Sequence, residues 1–353
     1  RAYGESQVTL TTHDAATPGA GSETVTANFA SLFSAQINYG ADGAGGSPTW
    51  TYALQLASYN GVDSGLGSNG SDIRLFLVNG VIYGSTTSNF SQVQSQAVFK
   101  IEVDASGTVT LTQYREIDHS YNHDTSSPYD DQLASLANGF VKLVGTVTVT
   151  DGDGDTDTSS ATIDLGGNIR FADDGPSVTA AVAGDGNAIL TTYDHYTAGY
   201  SSDVASFNFG NLFSVSSSSF GADGPGNTSW SYGLAITGTP VNGRVDSGLN
   251  SDGHNIYLYN IQGVIYGSTS TSGASSSVIN NAVFKIVVSS NGTVTLTQYE
   301  AIDHANNSDT SAPYNDQFAD LANGLIKLTG TVTITDGDGD SASLSASIDL
   351  GGN

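Results

Sequence analysis

The chain has 353 residues, with 35 acidic against 9 basic side chains and a formal charge of −26. It therefore has no basic stripe for nucleic acid and no cationic face for anionic lipid. The absence of cysteine removes disulfides as a stabilising device, and no apolar run has the length of a membrane span or the form of a signal peptide. Folding draws the carboxylates together, so bound cations that prefer oxygen ligands, calcium or magnesium, are expected to offset their repulsion. Acids spread over the surface for solubility are the alternative. The chain starts at Arg1 and contains no Met, as a fragment excised from a longer protein would.

In chain order, Gly40-Ala41-Asp42-Gly43 precedes an alternating segment, Trp50-Tyr52-Leu54, whose Trp is in phase with Leu and is assigned to the core rather than to a sugar-binding platform. Val98 to Val103 and Thr108 to Tyr114 alternate on either side of Asp104-Ala105-Ser106-Gly107, which predicts a β-hairpin. A short helix is expected over Asp131 to Ala137, after Pro128 and before Asn138-Gly139, with a copy over Asp316 to Ala322. Thr146 to Thr150 and Ala161 to Leu165 read as strands around the acidic run Asp151-Gly152-Asp153-Gly154-Asp155-Thr156-Asp157.

The chain is then written again. Gln113 to His119, the run at Asp151, and Ile163 to Asn168 return at Gln298, Asp336 and Ile348, all offset by 185, while Leu10-Thr11-Thr12 returns at Leu190 offset by 180. The difference implies an insertion, placed around Gly238 to Arg244. The predicted organisation is all-β: two tandem, enlarged Ig-like β-sandwich repeats over 1–168 and 179–353, each with one short helix, joined by an acidic linker over 169–178 that is built to be held rather than to flex.

The acidic run carries the sharpest chemistry. Asp alternating with Gly lets carboxylates converge on a tight bend, and calcium takes six to eight oxygens in a forgiving geometry. Asp151, Asp153, Asp155 and Asp157, with Asp336, Asp338 and Asp340 in the second copy, are candidate ligands. The closing Glu of an EF-hand is missing, since the twelfth position from Asp151 is Thr162, so further ligands must come from elsewhere. Asp173 and Asp174 of the linker are the natural donors. Each loop meets either the linker leaving its repeat or the one entering it, and spacing alone does not choose. Ala342 stands where the first loop has Asp157, which leaves the second loop without its fourth acid, and the second repeat, which stops before an outgoing linker of its own, is expected to hold calcium less completely than the first. A plain Asp-Gly turn with solvated acids is the bland alternative.

The run from Thr146 to Leu165 followed by Phe171-Ala172-Asp173-Asp174-Gly175-Pro176 resembles the repeated modules of giant type I-secreted RTX adhesins, with their VTDGDGD strand-loop and F-x-DDGP linker. The resemblance covers both repeats. It implies export by type I secretion from a Gram-negative bacterium to the cell surface, calcium-loaded extender modules in long arrays, and a role in biofilm or host attachment. Partners would be neighbouring repeats of the same chain, without an obligate oligomer. A carbohydrate- or surface-binding module is the alternative.

Asp118, His119, Asp130 and Asp131, with Asp303, His304 and Asp316 in the copy, form a second polar cluster. It is either a calcium or zinc site or a structural loop in which Asp caps the helix and His satisfies carbonyls. No Gly-x-Ser-x-Gly nucleophile elbow accompanies the Asp-His pair, and no enzyme is expected.

Overall fold

The structure, a computed structural model, describes residues 8–119, 125–199, 201–304 and 317–353. Two compact units partition the chain: unit 1 takes in 1–177 together with Ser219–Asn227 and Thr335–Ala342, and unit 2 takes in Val178–Ser218, Thr228–Ile334 and Ser343–Asn353. Among the described residues no helix is long and apolar enough to cross a membrane.

The first repeat supplies β1 (Leu10–His13), β2 (Glu23–Asn28), β3 (Thr49–Leu56), β4 (Val62–Ser68), β5 (Ser71–Val78), β6 (Val81–Ser85), β7 (Ala97–Val103), β8 (Thr108–Gln113), β9 (Leu133–Ser135), β10 (Val141–Thr150), β11 (Thr156–Asp164) and β12 (Ile169–Ala172). They form a six-stranded sheet in the order β2-β8-β7-β6-β5-β4 and two three-stranded sheets, β11-β10-β3 and β1-β12-β9. The predicted hairpin is β7–β8, antiparallel from Phe99 opposite Gln113 to Val103 opposite Val109. Its turn is held by the Asp104 carboxylate, which accepts from the amides of Ser106 and Thr108. Alternate residues of these strands, among them Ile73, Leu75, Ile101, Leu111 and Leu143, face one another in a core that excludes water.

The second repeat supplies β13 (Ser177–Val182), β14 (Asp203–Asn208), β15 (Phe213–Ser219), β16 (Pro225–Ile236), β17 (Val245–Ser251), β18 (His254–Ile261), β19 (Val264–Ser268), helix α1 (Ser275–Asn280), β20 (Ala282–Val288), β21 (Thr293–Gln298), β22 (Ile326–Asp336) and β23 (Ser341–Asp349). The six-stranded sheet recurs as β14-β21-β20-β19-β18-β17 and the three-stranded sheet as β16-β22-β23, while β13 pairs with β15. A core around Phe209, Ile256, Ile265 and Leu328 repeats the first. The inserted residues form a tight turn closed by a bridge between Val241 and Arg244.

The expected helices are the main correction. Over Asp131 to Ala137 the chain makes a single 3-10 turn, Tyr129–Asp131, and then β9. Seven residues make a marginal helix, and pairing of Ala134 with Phe171 across β9 and β12 satisfies the backbone instead. In the second repeat, Asp316 lies outside the described residues and 317–322 form no helix. The short helix that does form, α1, lies elsewhere.

Candidate metal centre

Two chain features build the centre, and the first is the acidic loop. Asp336 ends β22 and its carboxylate accepts from the amides of Gly339 and Asp340, at 3.1 and 2.7 Å. One oxygen is thereby spent on the bend, and the following side chains are set around it. Gly337 has a spatial reason: a Cβ there would lie 2.3 Å from the carbonyl oxygen of Asp223. Glycine at this position lets the Gly221-Ala222-Asp223 segment, ahead of β16, approach the loop. The first loop is built alike, with Gly154 and Asp155 donating to Asp151 at 3.2 and 2.9 Å.

The second feature is β12. It lies between β1 in parallel register, Leu10 opposite Ile169, and β9 in antiparallel register. Phe171 is fully buried, its ring 5.0 Å from that of Phe99. The strand carries Asp173 inward to 1% exposure. The Asp173 amide donates to the Gln132 carbonyl at 3.0 Å, and Asp174 accepts from the Ala222 amide at 3.0 Å.

Within unit 1, Asp173, Asp174, Asp223, Asp336, Asp338 and Asp340 thus converge. Asp173 groups with Asp174 and Asp223, and again with Asp338 and Asp340, while Asp223 also groups with Asp336 and Asp338; in each triad the ligand oxygens lie within 4.8 Å of one another. Gln132 donates to Asp340 at 3.0 Å and the His119 amide to Asp338 at 3.2 Å. Five carboxylate oxygens remain buried without a hydrogen-bond donor: both of Asp173 and one each of Asp223, Asp336 and Asp338.

A third group adjoins these. Asp14, fully buried, accepts from the Ile117 amide at 3.1 Å and from the Gln113 side chain. His119 Nδ1 stands 3.4 Å from Asp14 and 3.4 Å from Asp173. Burial pushes the Asp14 carboxyl up to about 8. Burial and the neighbouring Asp338 and Asp340 push Asp173 up to about 10; burial and Asp338 push Asp223 up to about 9. Asp336 is pushed up to about 7, by burial and then by Asp338. Burial lowers His119. Such a cluster stays ionised at neutral pH only if cations compensate it. Orphaned oxygens from several Asp side chains are a donor set that fits a hard cation.

Not all predicted ligands gather here. The loop that meets Asp173 is the second one, Asp336 to Asp340, not Asp151 to Asp157. The loop expected to be the less complete of the two is thus the one whose carboxylates group with Asp173. Asp157, the counterpart of Ala342, is exposed and turns its carboxylate to the amide of Thr158. Asp151 and Asp153 form a separate, more exposed triad with Asp42, and Asp155 belongs to no triad. Asp118 accepts from the Gly70 amide, and its counterpart Asp303 accepts from Asp252 and Gly253, so both hold turns. Asp130 and Asp131 are exposed, His304 lies 3.4 Å from Asp194, and Asp316 is outside the described residues. Asp14 and Asp223 lie outside the acidic cluster expected from the sequence. The signal for each was duplication: Leu-Thr-Thr-x-Asp recurs at Asp194, and Gly-Ala-Asp-Gly recurs around Asp42 and Asp223.

The family sequence model described as Domain of unknown function (DUF5801) matches residues 6–166 and again residues 181–351. No curated protein matches the sequence. Among solved structures the chain is similar to a tetra-tandem repeat in the extending region of a large adhesion protein, at 12% identity and a TM-score of 0.15, over 86% of this chain and 50% of that one. It is also similar to the protocadherin GammaB4 extracellular domain, at 13% identity and a TM-score of 0.16, over 86% of this chain and 31% of that one. The chain therefore spans half the length of the first structure and less than a third of the second.

Proposed function

We propose, for a chain that belongs to the DUF5801 family and carries its domain twice, the role of a calcium-loaded extender segment in a bacterial cell-surface adhesin. The observation that carries this reading is the set of five buried carboxylate oxygens that no donor satisfies, brought together from Asp173, from Asp223 and from the Asp336 to Asp340 loop. Calcium suits it better than magnesium, because many carboxylates in irregular positions match a cation of variable coordination, whereas magnesium demands compact octahedral geometry and keeps its waters. Asp173, Asp174, Asp223, Asp336, Asp338 and Asp340 would hold the ion. It would supply charge compensation and a cross-link between segments distant in sequence, and no chemistry on a substrate.

The role is structural because the binding free energy becomes folding free energy. Calcium at a hundredfold excess over its dissociation constant adds about 2.7 kcal/mol, and it acts where β12 leaves the first repeat. Secretion by a type I system and service in attachment or biofilm are carried into this reading from the RTX adhesin resemblance.

The test is calcium titration of the chelated chain by calorimetry, followed by melting and small-angle scattering in calcium and in EGTA. Saturable binding, a raised melting temperature and a narrower distribution of dimensions in calcium are expected. Identical melting and scattering in the two conditions would sink the calcium mechanism.

A further inference from the structure

The two repeats differ after their shared Asn: Asn168 leads into β12, whereas its counterpart Asn353 is the last residue of the sequence and no residues correspond to Ile169–Ala172. In unit 1, β12 fills a trough between β1 and β9, and the side chains beneath it are sealed: Leu10 and Leu136 are 1% exposed and Ile117 is fully buried, as are the strand's own Ile169 and Phe171. Unit 2 holds the same trough open as a cavity of about 1000 Å³. Leu190, Ile302 and Leu321, the counterparts of Leu10, Ile117 and Leu136, are only half-buried. On its rim Phe318 and Ile189 are 62% and 59% exposed.

The walls are formed for a strand. Gln298 and the Ile302 amide hold Asp194 just as Gln113 and the Ile117 amide hold Asp14. The Leu190 amide donates to the Asn353 carbonyl as Leu10 does to Asn168. At the floor, Gly267 lets the Phe284 ring lie flat on the sheet, because a Cβ there would lie 2.2 Å from it; Gly84 does the same for Phe99, the ring on which Phe171 rests. At the far end the Asp194 and His304 side chains are 33% and 30% exposed, against 0% and 1% for Asp14 and His119.

We infer that this trough of unit 2 is a strand-acceptor site for an extended peptide segment of the pattern Ile-x-Phe-Ala-Asp, supplied from outside these residues. It enters parallel to Leu190–Tyr193 and antiparallel to the segment 318–320. The pattern follows from the register in unit 1. Ile169 and Phe171 point into the core, Arg170 lies partly at the surface, and Asp173 ends beside the histidine. Backbone pairing supplies affinity and the alternate pockets supply specificity, as in other strand additions to sheet edges. A second copy of this chain is a poor donor, because its own Ile169, Phe171 and Ala172 are already buried at 0–1% exposure.

The test uses the whole chain and a synthetic peptide with the sequence of residues 168–175, titrated by calorimetry in calcium and in EGTA, with amide exchange to locate it. The expected result is saturable binding of one peptide per chain in both conditions, with new protection at residues 190–193 and 318–321. A Phe171→Ser peptide should bind about tenfold more weakly or worse, roughly the loss of 1.4 kcal/mol or more. Thr192→Trp in the chain, which fills the trough, should abolish binding. No saturable binding up to about 1 mM peptide, a scrambled peptide that binds equally well, or protection elsewhere would overturn the inference. So would a concentration-dependent dimer that the peptide dissociates, which would give the trough to a second copy. Because the binding does not require calcium, its failure and that of the calcium reading are read separately.

Discussion

His119 Nε2 lies 3.1 Å from the carbonyl oxygen of Phe171. A carbonyl only accepts, so Nε2 carries a proton, and in the neutral ring Nδ1 turns a lone pair toward Asp14 and Asp173, each 3.4 Å away. Three acceptors cannot face one another without a positive charge or a proton among them. Burial disfavours the imidazolium and raises both carboxyls, so in the calcium-free chain a carboxyl holds the proton. The backbone of β12 thus fixes the ring, and the ring fixes the polarity of the site.

Removing calcium should make stability fall as pH rises. Folded Asp336, Asp14, Asp223 and Asp173 are raised to about 7, 8, 9 and 10 from the ordinary aspartate value of 3.8. From about pH 4 to pH 10 the folded chain therefore binds more protons than the unfolded chain, and its stability is full below about pH 4 and lost through that window. With calcium bound the trend reverses on the acid side, because protons compete for the ligands. Melting curves from pH 4 to pH 9, with EGTA and with calcium, check the two slopes. A calcium-free chain that gains stability as pH rises would contradict the assignment.

Asp173→Asn should have opposite effects in the two conditions. In EGTA it removes the cost of holding a buried carboxyl protonated far above its ordinary range and adds an amide donor beside Asp338 and Asp340, so the variant should melt a few degrees above the parent; about 2–4 °C corresponds to 1 kcal/mol in a domain of 150–250 residues. In calcium it should lose most of the calcium-induced rise. Scanning calorimetry of both proteins in both buffers reads the crossing.

The two acidic loops should behave unequally despite near-identical sequence. Asp338→Asn strikes a side chain shared by two ligand triads, one of which includes buried Asp173, whereas Asp153→Asn strikes its exposed counterpart. The first should weaken the tightest calcium binding at least tenfold, and the second should leave it within twofold, since exposed carboxylates hold an ion loosely and lose little. Equal effects in calcium titrations would show that the first loop matters as much as the second.

Phe171→Ala should cost about 3–5 kcal/mol, the range for emptying a buried aromatic site. It should also weaken calcium binding, because Asp173 stands two residues further along the same strand. Urea unfolding in EGTA measures the first effect free of the second. A cost below about 1 kcal/mol would mean that the trough closes up when the ring is removed.

The strands, the duplication and the acidic residues at 173–174 and 336–340 were legible because each has a local signature: alternation, a constant offset, or Asp set against Gly. Asp14 and Asp223 were not read as part of the acidic cluster, because what places them there is register. Asp14 depends on β1 lying beside β12 across some 160 residues, and Asp223 on the approach that Gly337 permits. The same long-range pairing defeated the helix over Asp131 to Ala137, whose local signals were outweighed by strand partners for Ala134 and Ser135. Nothing local marked the choice between the two linkers either.

The position of β12 in the chain also sets a timetable. A polypeptide made from its N-terminus has β1 through β9 in hand long before residues 169–172 exist, so the trough stays greasy and open until they arrive. The acidic cluster waits longer still, for Asp223 and then for Asp340, which lie in segments that unit 1 takes from late in the chain. Contacts that span so much sequence close slowly. On the proposed reading, calcium would therefore be the last component to enter unit 1, and it would seal an assembled structure rather than seed one.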